Sequence, residues 1–278
     1  MQKAVSSYVF VKQRLHVGLL EAMVRAGAET IEIFAARDHF DYTDRAAVRD
    51  LAAWFRSSGV PLNSVHAPMF SDYEWGRSGV PPVNIVDHDK RRRIESMDEI
   101  KRALEIAEQL PFRFLVQHIG TGNEAWDPRK FDYAMTAVEH LRAFARPLGV
   151  TLLVENIPNE LSTPERLTEL LAATRFPDIG VCFDAGHAHI MSSVRDAFEQ
   201  LKPHIRSTHL SDNKGDRDAH LWLGEGTINW DEAAALLRSA PGAPPLLVEI
   251  DGEGQDNSAI ERSLGQALRR LEAVPAAN

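Results

Sequence analysis

The feature that most constrains the fold is a regular alternation of short apolar runs with longer amphipathic stretches along the whole chain. Eight runs rich in β-branched and apolar residues predict strands, and a stretch with helical spacing follows each of them. Runs three to eight stay apolar until their last residues, as is typical of strands that are buried on both faces. Strict alternation predicts parallel strands joined by helical crossovers, which is the α/β class.

The predicted elements can be assigned in order along the chain. Strands are expected at 3–10, 30–35, 62–68, 112–119, 151–157, 179–187, 205–211 and 246–251. Helices are expected at 16–26, 45–56, 89–110, 128–147, 164–173, 193–201, 230–238 and 258–271. In the fifth helix, Thr163 is the expected N-cap and Pro164 the first helical residue. A long polar loop, 69–88, follows the third strand.

Chain length favours one closed barrel over an open sheet. A (β/α)8 barrel needs about 250 residues, and the chain has 278. Neither a dinucleotide-binding G-x-G-x-x-G after the first strand nor a phosphate-binding P-loop motif occurs in the sequence. We therefore expect a single-domain (β/α)8 TIM barrel over residues 1–272, with the active site at the C-terminal face of the strands and a flexible tail at 273–278.

Charge and cysteine content narrow the class of partner and the compartment. The net charge of −9 argues against a protein that binds nucleic acid through bulk electrostatics. The single cysteine, Cys182, excludes a disulfide within the chain and favours a reducing cytosol. The N-terminal residues lack the apolar core of a signal peptide, and no run reaches the roughly 18 apolar residues that span a bilayer. We expect a soluble cytoplasmic protein with no membrane partner.

Four reactive side chains end the last four predicted strands. They are, in order, Glu155, Asp184, His209 and Glu249. Neighbouring strands of a barrel bring such residues around one point at the C-terminal face. Carboxylates and neutral imidazoles are ligands of divalent metals, and a cation offsets the cost of burying several charges together. The pattern predicts a divalent-metal site made by these four residues.

Five further reactive residues follow strands three, four, six and seven. They are interpreted as substrate-binding residues or additional metal ligands: His66, His118, His187, Asp218 and His220. Asp218 and His220 are alternate residues of one D-A-H triplet, so in an extended chain both side chains face one point.

Other polar and aromatic residues receive plainer interpretations. Glu32, at the end of strand two, is predicted to be a paired structural carboxylate. Three tryptophans in active-site loops could either wall a ligand or pack the loops: Trp75, Trp126 and Trp222. Six histidines outside the strand-end pattern are predicted to be surface or helix residues: His16, His39, His88, His140, His189 and His204.

The ordered motifs VHAP, QHIG, LLVENIP, VCFDAGH, STHLSDN…DAHLWLGEG and LLVEI resemble the xylose-isomerase-like TIM barrels over nearly the whole chain. That superfamily includes sugar isomerases and epimerases, inosose dehydratases and endonuclease IV apurinic-site nucleases. For the isomerases, the resemblance implies one metal, usually manganese, on Glu155, Asp184, His209 and Glu249. It also implies that the two glutamates form the acid/base pair and that His187 touches substrate hydroxyls. Zinc, magnesium or cobalt would suit the same ligands.

The nuclease branch of the same superfamily implies a larger ligand set. Its additional zinc ligands match the five further residues His66, His118, His187, Asp218 and His220, so the set for a three-zinc cluster is complete. The acidic net charge and the short loops after strands two, five and six argue against insertion into a DNA duplex.

The predicted function is that of a divalent-metal-dependent isomerase or epimerase of a small sugar or polyol-derived carbonyl compound. Glu155 and Glu249 would transfer protons through a metal-stabilised enediolate. The alternatives are a zinc-cluster phosphodiesterase, an inosose-dehydratase-like lyase and a non-catalytic binding module. The expected partner is a small sugar-like molecule rather than nucleic acid, and a homo-oligomer is possible. The identity of the sugar, its phosphorylation and the number of metal ions stay open.

Overall fold

The predicted barrel is confirmed by the computed structural model, which describes residues 1–273. Its eight strands are parallel and lie in the order β7-β6-β5-β4-β3-β2-β1-β8. The strands are β1 Lys3–Ser6, β2 Thr30–Phe34, β3 Leu62–His66, β4 Phe114–Gln117, β5 Thr151–Glu155, β6 Gly180–Asp184, β7 Ile205–His209 and β8 Leu246–Val248. Each lies within or close to a predicted strand, because the apolar runs mark the residues buried on both faces of the sheet.

The seam between β7 and β8 closes the barrel. Leu210 bridges Val248 in parallel. The Leu210 N–H donates to the Leu247 carbonyl at 2.9 Å, and the Glu249 N–H donates to the Leu210 carbonyl at 3.1 Å. The Thr208 hydroxyl accepts the Leu247 N–H at 3.1 Å. This seam is therefore an isolated bridge rather than a regular strand pair, and a side chain takes part in its hydrogen bonding.

Nine α-helices surround the strands within residues 1–273, one more than expected. They are α1 Val17–Arg25, α2 Arg45–Ser58, α3 Lys90–Glu105, α4 Pro128–Ala145, α5 Pro164–Thr174, α6 Ala185–Met191, α7 Val194–Leu201, α8 Trp230–Arg238 and α9 Asn257–Ala273. In that part of the chain, none combines the length and the apolar character that crossing a membrane requires. The predicted tail begins at residue 273, the last of α9, and its residues 274–278 lie outside the described part.

The additional helix, α6, begins directly after β6, where a strand exit to residue 187 was expected. Asp184 is its N-cap, and one carboxylate oxygen accepts the His187 N–H at 2.6 Å. A side-chain acceptor at this position satisfies a donor that the first helical turn leaves free. Similar caps start other helices, including the expected Thr163–Pro164 start of α5.

The first strand is also shorter than expected. It ends at Ser6, and Ser7–Phe10 form a 3-10 turn. The Ser6 hydroxyl accepts the Tyr8 N–H at 3.3 Å. Such a local side-chain bond gives the backbone an alternative to the sheet, which explains the early end of β1.

An apolar floor fills the barrel interior beneath the strand ends. It contains Phe114, Val116, Leu153 and Cys182, all buried. Because successive side chains of a strand alternate between faces, residues two positions later point into the same interior. Glu155 therefore lies above Leu153, and Asp184 above Cys182.

His39 was predicted to be a surface or helix residue, and that prediction is wrong, because its side chain is 1% exposed. Its Nδ1 lies 2.6 Å from the Gln13 carbonyl, and its Nε2 lies 2.9 Å from the Ser7 hydroxyl. The same hydroxyl oxygen accepts the Phe34 N–H at 2.9 Å. These contacts fit a neutral imidazole that donates from Nδ1 and accepts at Nε2. Burial lowers the pKa of His39 to about 4.

This buried histidine generates a pH-dependent contribution to stability. The pKa of His39 in the folded protein lies below its unfolded value of about 6.5. The stabilisation by the neutral ring is therefore complete at pH values above the unfolded pKa and decreases as the pH falls. We expect wild type to lose about 2 kcal/mol of unfolding free energy by pH 5 through this group alone. Urea unfolding of wild type and His39→Asn at pH 7.5, 6 and 5 isolates it, because all other groups titrate in both proteins. A difference in unfolding free energy that does not change with pH would contradict the assignment.

Candidate metal centre

Three of the four predicted metal ligands lie in direct contact at the C-terminal mouth of the barrel. His209 Nδ1 is 3.2 Å from Glu155 Oε1 and 3.4 Å from Glu249 Oε2. The fourth, Asp184, is connected through His187, whose Nδ1 is 3.3 Å from Glu155 Oε1 and 3.6 Å from Asp184 Oδ2. All four predicted ligands are buried, and none of these residues is more than 3% exposed.

The histidines that follow β3 and β4 extend this cluster on one side. His66 Nε2 lies 3.2 Å from His118 Nε2. Both nitrogens face the same oxygen, Glu155 Oε2, at 3.6 Å and 3.2 Å respectively. Two imidazole nitrogens and a carboxylate oxygen that converge in this way form a set of donors suited to a metal ion or to shared protons.

The loop after β7 extends the cluster on the other side. Asp218 Oδ2 lies 3.1 Å from both His187 Nε2 and His220 Nε2. His220 Nδ1 lies 3.0 Å from the Glu249 carbonyl. The backbone of His220 is left-handed, with φ of 42°, which costs a non-glycine residue on the order of 1–3 kcal/mol. Contacts of its ring on both sides hold it in that conformation.

Asp212 fixes this loop and was not among the predicted site residues. Its carboxylate accepts the Gly224 N–H at 2.7 Å, the Ile228 N–H at 3.2 Å and the Trp230 indole N–H at 2.9 Å. A Cβ at Gly226 would lie 2.2 Å from the Asn213 carbonyl, so the loop passes where only glycine fits. An aspartate at a strand exit, followed by closely spaced glycines, was the signal available in the sequence.

Glu32 lies against the far side of the His209 ring. The residue is fully buried, and its Oε1 is 3.1 Å from His209 Nε2. The Ser64 hydroxyl donates to its Oε2 at 2.6 Å. Glu32 is therefore a paired carboxylate that also lines the buried side of the cluster.

Burial and mutual proximity shift the pKa values within the cluster in opposite directions. Burial raises the pKa of Glu249 to about 7 and also raises that of Asp184. Burial has the same tendency at Glu155, but His209 and His118 outweigh it and lower its pKa well below the usual range. Burial lowers the pKa of His209, yet the surrounding acidic groups raise it well above its ordinary value. The cluster consequently retains protons at neutral pH.

The residues present fit a divalent metal ion. Two buried carboxylate oxygens of the predicted ligands have no hydrogen-bond partner: Asp184 Oδ2 and Glu249 Oε1. Leaving such atoms unsatisfied costs free energy, and a cation is the ligand that compensates several carboxylates at once. Imidazole nitrogens and carboxylate oxygens suit zinc, while the carboxylates also suit manganese and magnesium.

A cavity of about 280 Å³ opens beside the cluster, between the loops that follow β3 and β4. His66 and His118 form its inner end, and Met69, Phe70 and Val83 contribute apolar walls. Among the described residues that line it, only these two histidines can carry a charge. The cavity is therefore suited to an uncharged part of a small molecule.

The three loop tryptophans have different environments. Trp75 stacks on Phe34 at 5.6 Å, and Phe34 stacks in turn on His66 at 4.5 Å, so Trp75 is connected to the cluster. Trp126 is 36% exposed and lies beneath the Arg166 guanidinium. Trp222 is half-buried and packs against the main core. Only the first of the three adjoins a site residue through these ring contacts.

The fold and the site together define a class of protein. It consists of (β/α)8 barrels whose C-terminal face carries a buried cluster of carboxylates and imidazoles that could bind a metal ion. The chain belongs to the xylose isomerase-like TIM barrel family, whose model matches residues 20–273.

Curated relatives carry different names within this family. An uncharacterized protein of Methanocaldococcus jannaschii is 30% identical over 248 residues, covering 86% of this chain and 80% of the relative. Inosose isomerase of Bacillus velezensis is 21% identical over 267 residues, covering 92% and 90%. A probable endonuclease 4 of Natronomonas pharaonis is 28% identical over 192 residues, covering 62% and 68%.

Solved structures agree with the fold over nearly the full length. A D-tagatose 3-epimerase-like protein superimposes with a TM-score of 0.78 at 25% identity, covering 98% of both chains. The IOLI protein with a bound zinc atom superimposes with a TM-score of 0.77 at 18% identity, covering 98% of this chain and 96% of the other. At 18% identity, the second likeness concerns the fold alone.

The raised pKa values of Glu249 and His209 predict that metal binding depends on pH. A cation that binds the cluster must displace protons from groups such as Glu249, whose pKa is raised to about 7, and His209. We therefore expect the apparent affinity for Zn²⁺ to increase as the pH rises from 6 to 8, with net proton release. Calorimetric titration in two buffers of different ionisation enthalpy measures that release. His209→Ala should bind more weakly and release fewer protons, whereas binding without proton release in wild type would contradict the prediction.

Proposed function

We propose that the protein is a divalent-metal-dependent isomerase or epimerase of a small sugar or polyol-derived carbonyl compound. The observation that carries the proposal is the contact of two buried glutamates, Glu155 and Glu249, with one nitrogen, His209 Nδ1, at 3.2 Å and 3.4 Å. The likeness to inosose isomerase and to a D-tagatose 3-epimerase-like protein supports the same reading.

Four residues would hold the metal ion: Glu155, Asp184, His209 and Glu249. Manganese is the first choice, with zinc, magnesium or cobalt as alternatives. The chemistry that a bound cation supplies is Lewis-acid polarisation of the substrate's carbonyl and neighbouring hydroxyl oxygens. The unpartnered Oδ2 of Asp184 and Oε1 of Glu249 support these roles, because both atoms are buried acceptors without a donor.

The two glutamates would move the protons. One removes the proton from the carbon next to the carbonyl, and the other delivers a proton to the neighbouring position or to the opposite face. Their surroundings support different roles as base and acid. The histidines lower the pKa of Glu155, while burial raises the pKa of Glu249 to about 7. In Glu249, Oε2 faces His209, while Oε1 has no hydrogen-bond partner. One oxygen of this carboxylate could therefore bind the metal ion while the other exchanges a proton.

Neighbouring side chains would orient the substrate and limit water. His187 and His220, both in contact with Asp218, would bind hydroxyl groups. The stack of Phe34 and Trp75 forms an aromatic wall next to His66. The described lining of the adjacent cavity contains no arginine or lysine, which favours an unphosphorylated substrate, since these are the side chains that typically bind a phosphate group.

Zinc-dependent phosphodiester cleavage is the second candidate. The observation in its favour is that the five additional residues form two donor sets beside the first site, His66–His118–Glu155 and His187–Asp218–His220. The 28% identical relative named probable endonuclease 4 supports it as well. The net charge of −9 weighs against it, because a DNA duplex is bound through its phosphates. Dehydration of an inosose-like substrate would use the same proton abstraction, followed by loss of a β-hydroxyl group.

Substitution of the glutamates tests the preferred function. We expect Glu155→Gln and Glu249→Gln each to lower turnover by about 10²–10⁴-fold, because glutamine cannot exchange the proton. The measurement is deuterium incorporation from solvent into D-fructose, D-tagatose and scyllo-inosose by the Mn²⁺-loaded protein, with metal content determined for each variant. Glu199→Gln, on the outer surface of α7, is the matched control.

Two outcomes would contradict this reading. Undiminished deuterium exchange in a glutamine variant that retains its metal would remove the proton-transfer role. Three bound zinc ions per chain, with cleavage of a duplex that contains an abasic site and no exchange into any of the three compounds, would establish the second candidate instead.

A further inference from the structure

We propose that Glu32 is a positioning residue of the metal centre: it holds His209 so that Nδ1 faces the cation and strengthens that nitrogen as a ligand. The proposal rests on the metal site of the proposed function. It assigns a role to a buried carboxylate on β2, a strand that supplies none of the predicted ligands.

The His209 ring lies between two groups of carboxylates. On its Nδ1 side are Glu155 Oε1 at 3.2 Å and Glu249 Oε2 at 3.4 Å. On its Nε2 side are both oxygens of Glu32, at 3.1 Å and 3.2 Å. Glu32 and His209 are each fully buried, so no solvent competes for these contacts.

The chemistry of a neutral imidazole then determines which ring nitrogen binds the cation and which one donates a hydrogen bond to Glu32. The ring carries one N–H and one lone pair, on different nitrogens. A cation shared with Glu155 and Glu249 needs the lone pair on Nδ1, which leaves the proton on Nε2. Glu32 is the acceptor for that proton, and the opposite tautomer would direct a lone pair at a carboxylate.

Glu32 is itself held in place from the neighbouring strand. Ser64 is its partner across the β2–β3 ladder, and the Ser64 hydroxyl donates to Glu32 Oε2 at 2.6 Å. The Asn63 amide donates to the same hydroxyl oxygen at 3.1 Å, so the hydroxyl proton is directed to Glu32. On the other side, His66 stacks on the His209 ring at 5.8 Å, which limits rotation of the ring.

Two effects on the cation follow. A carboxylate that accepts the distal N–H of a ligand histidine fixes its tautomer and raises the basicity of the ligating nitrogen, and loss of such a partner typically weakens metal binding by about 10–100-fold. The negative charge of Glu32 also adds to the field that a dication experiences. Its Oε1 makes no hydrogen bond but lies 3.1 Å from His209 Nε2, so the carboxylate faces the ring directly.

Three variants separate these effects from a general loss of structure. Glu32→Leu removes both the acceptor and the charge, Glu32→Gln retains an acceptor oxygen, and Ser64→Ala removes the donor that holds Glu32. The matched control is Glu99→Gln, because Glu99 is also buried but lies on α3 and pairs with Arg37 of the loop after β2. Thermal unfolding of each metal-free protein reports which variants are folded.

The first measurement is the Zn²⁺ dissociation constant, by competition with a chromophoric chelator. We expect it to increase about 10–100-fold in Glu32→Leu, and less in Glu32→Gln and Ser64→Ala, while Glu99→Gln stays at the wild-type value. A Glu32→Leu protein that binds Zn²⁺ within about twofold of wild type would overturn the proposal. If that variant does not fold, an unchanged affinity in both Glu32→Gln and Ser64→Ala would overturn it equally.

The second measurement identifies the ligating nitrogen. In the Zn²⁺ complex of ¹⁵N-histidine-labelled wild type, NMR should show His209 bound through Nδ1 with a slowly exchanging proton on Nε2. In Glu32→Leu that proton should exchange faster. Binding of zinc through Nε2, together with Glu32 and Glu249, would overturn the proposal while leaving a metal site in place. A wild-type protein that binds no zinc, manganese, magnesium or cobalt would instead reject the proposed function, and the role of Glu32 with it.

Discussion

At the barrel mouth, buried acidic side chains and histidines compensate one another's charge. Carboxylates and imidazoles alternate there, so that each ring nitrogen of His209 faces an acidic side chain and Glu155 contacts several histidines. Isolated ionised groups would not remain in such a place, because removing a single charge from water costs several kcal/mol. The arrangement is tolerable only as a whole, and a dication is the simplest addition that completes it.

The barrel controls how deep this cluster lies. Below Glu155 and Asp184 the interior side chains of the same strands are Leu153 and Cys182, which belong to the apolar floor. A shift of one residue in the register of either strand would turn its carboxylate towards the helical layer and its apolar neighbour towards the mouth. Helix α6 reinforces the arrangement, because its first turn is capped by Asp184 and carries His187 back over the cluster.

The fold could be predicted from the sequence because periodicity and strand-end composition are local signals. Those signals also indicated which residues would meet at the mouth, since parallel strands of a closed barrel end on one face. They did not indicate the burial of His39, which depends on Ser7 and Gln13, or the pairing of Glu32 with a histidine 177 positions away. The extra helix was overlooked because the capping oxygen belongs to a residue assigned to the metal site.

The seam between the last two strands lies next to two of the predicted metal ligands. β7 and β8 are joined by few backbone hydrogen bonds, with a threonine hydroxyl in place of one of them. His209 ends one of these strands, and Glu249 directly follows the other. An ion bound by both residues would therefore add a connection across the joint that closes the barrel. Loss of the ion would remove that connection, so the stability of the closed barrel would depend on metal content.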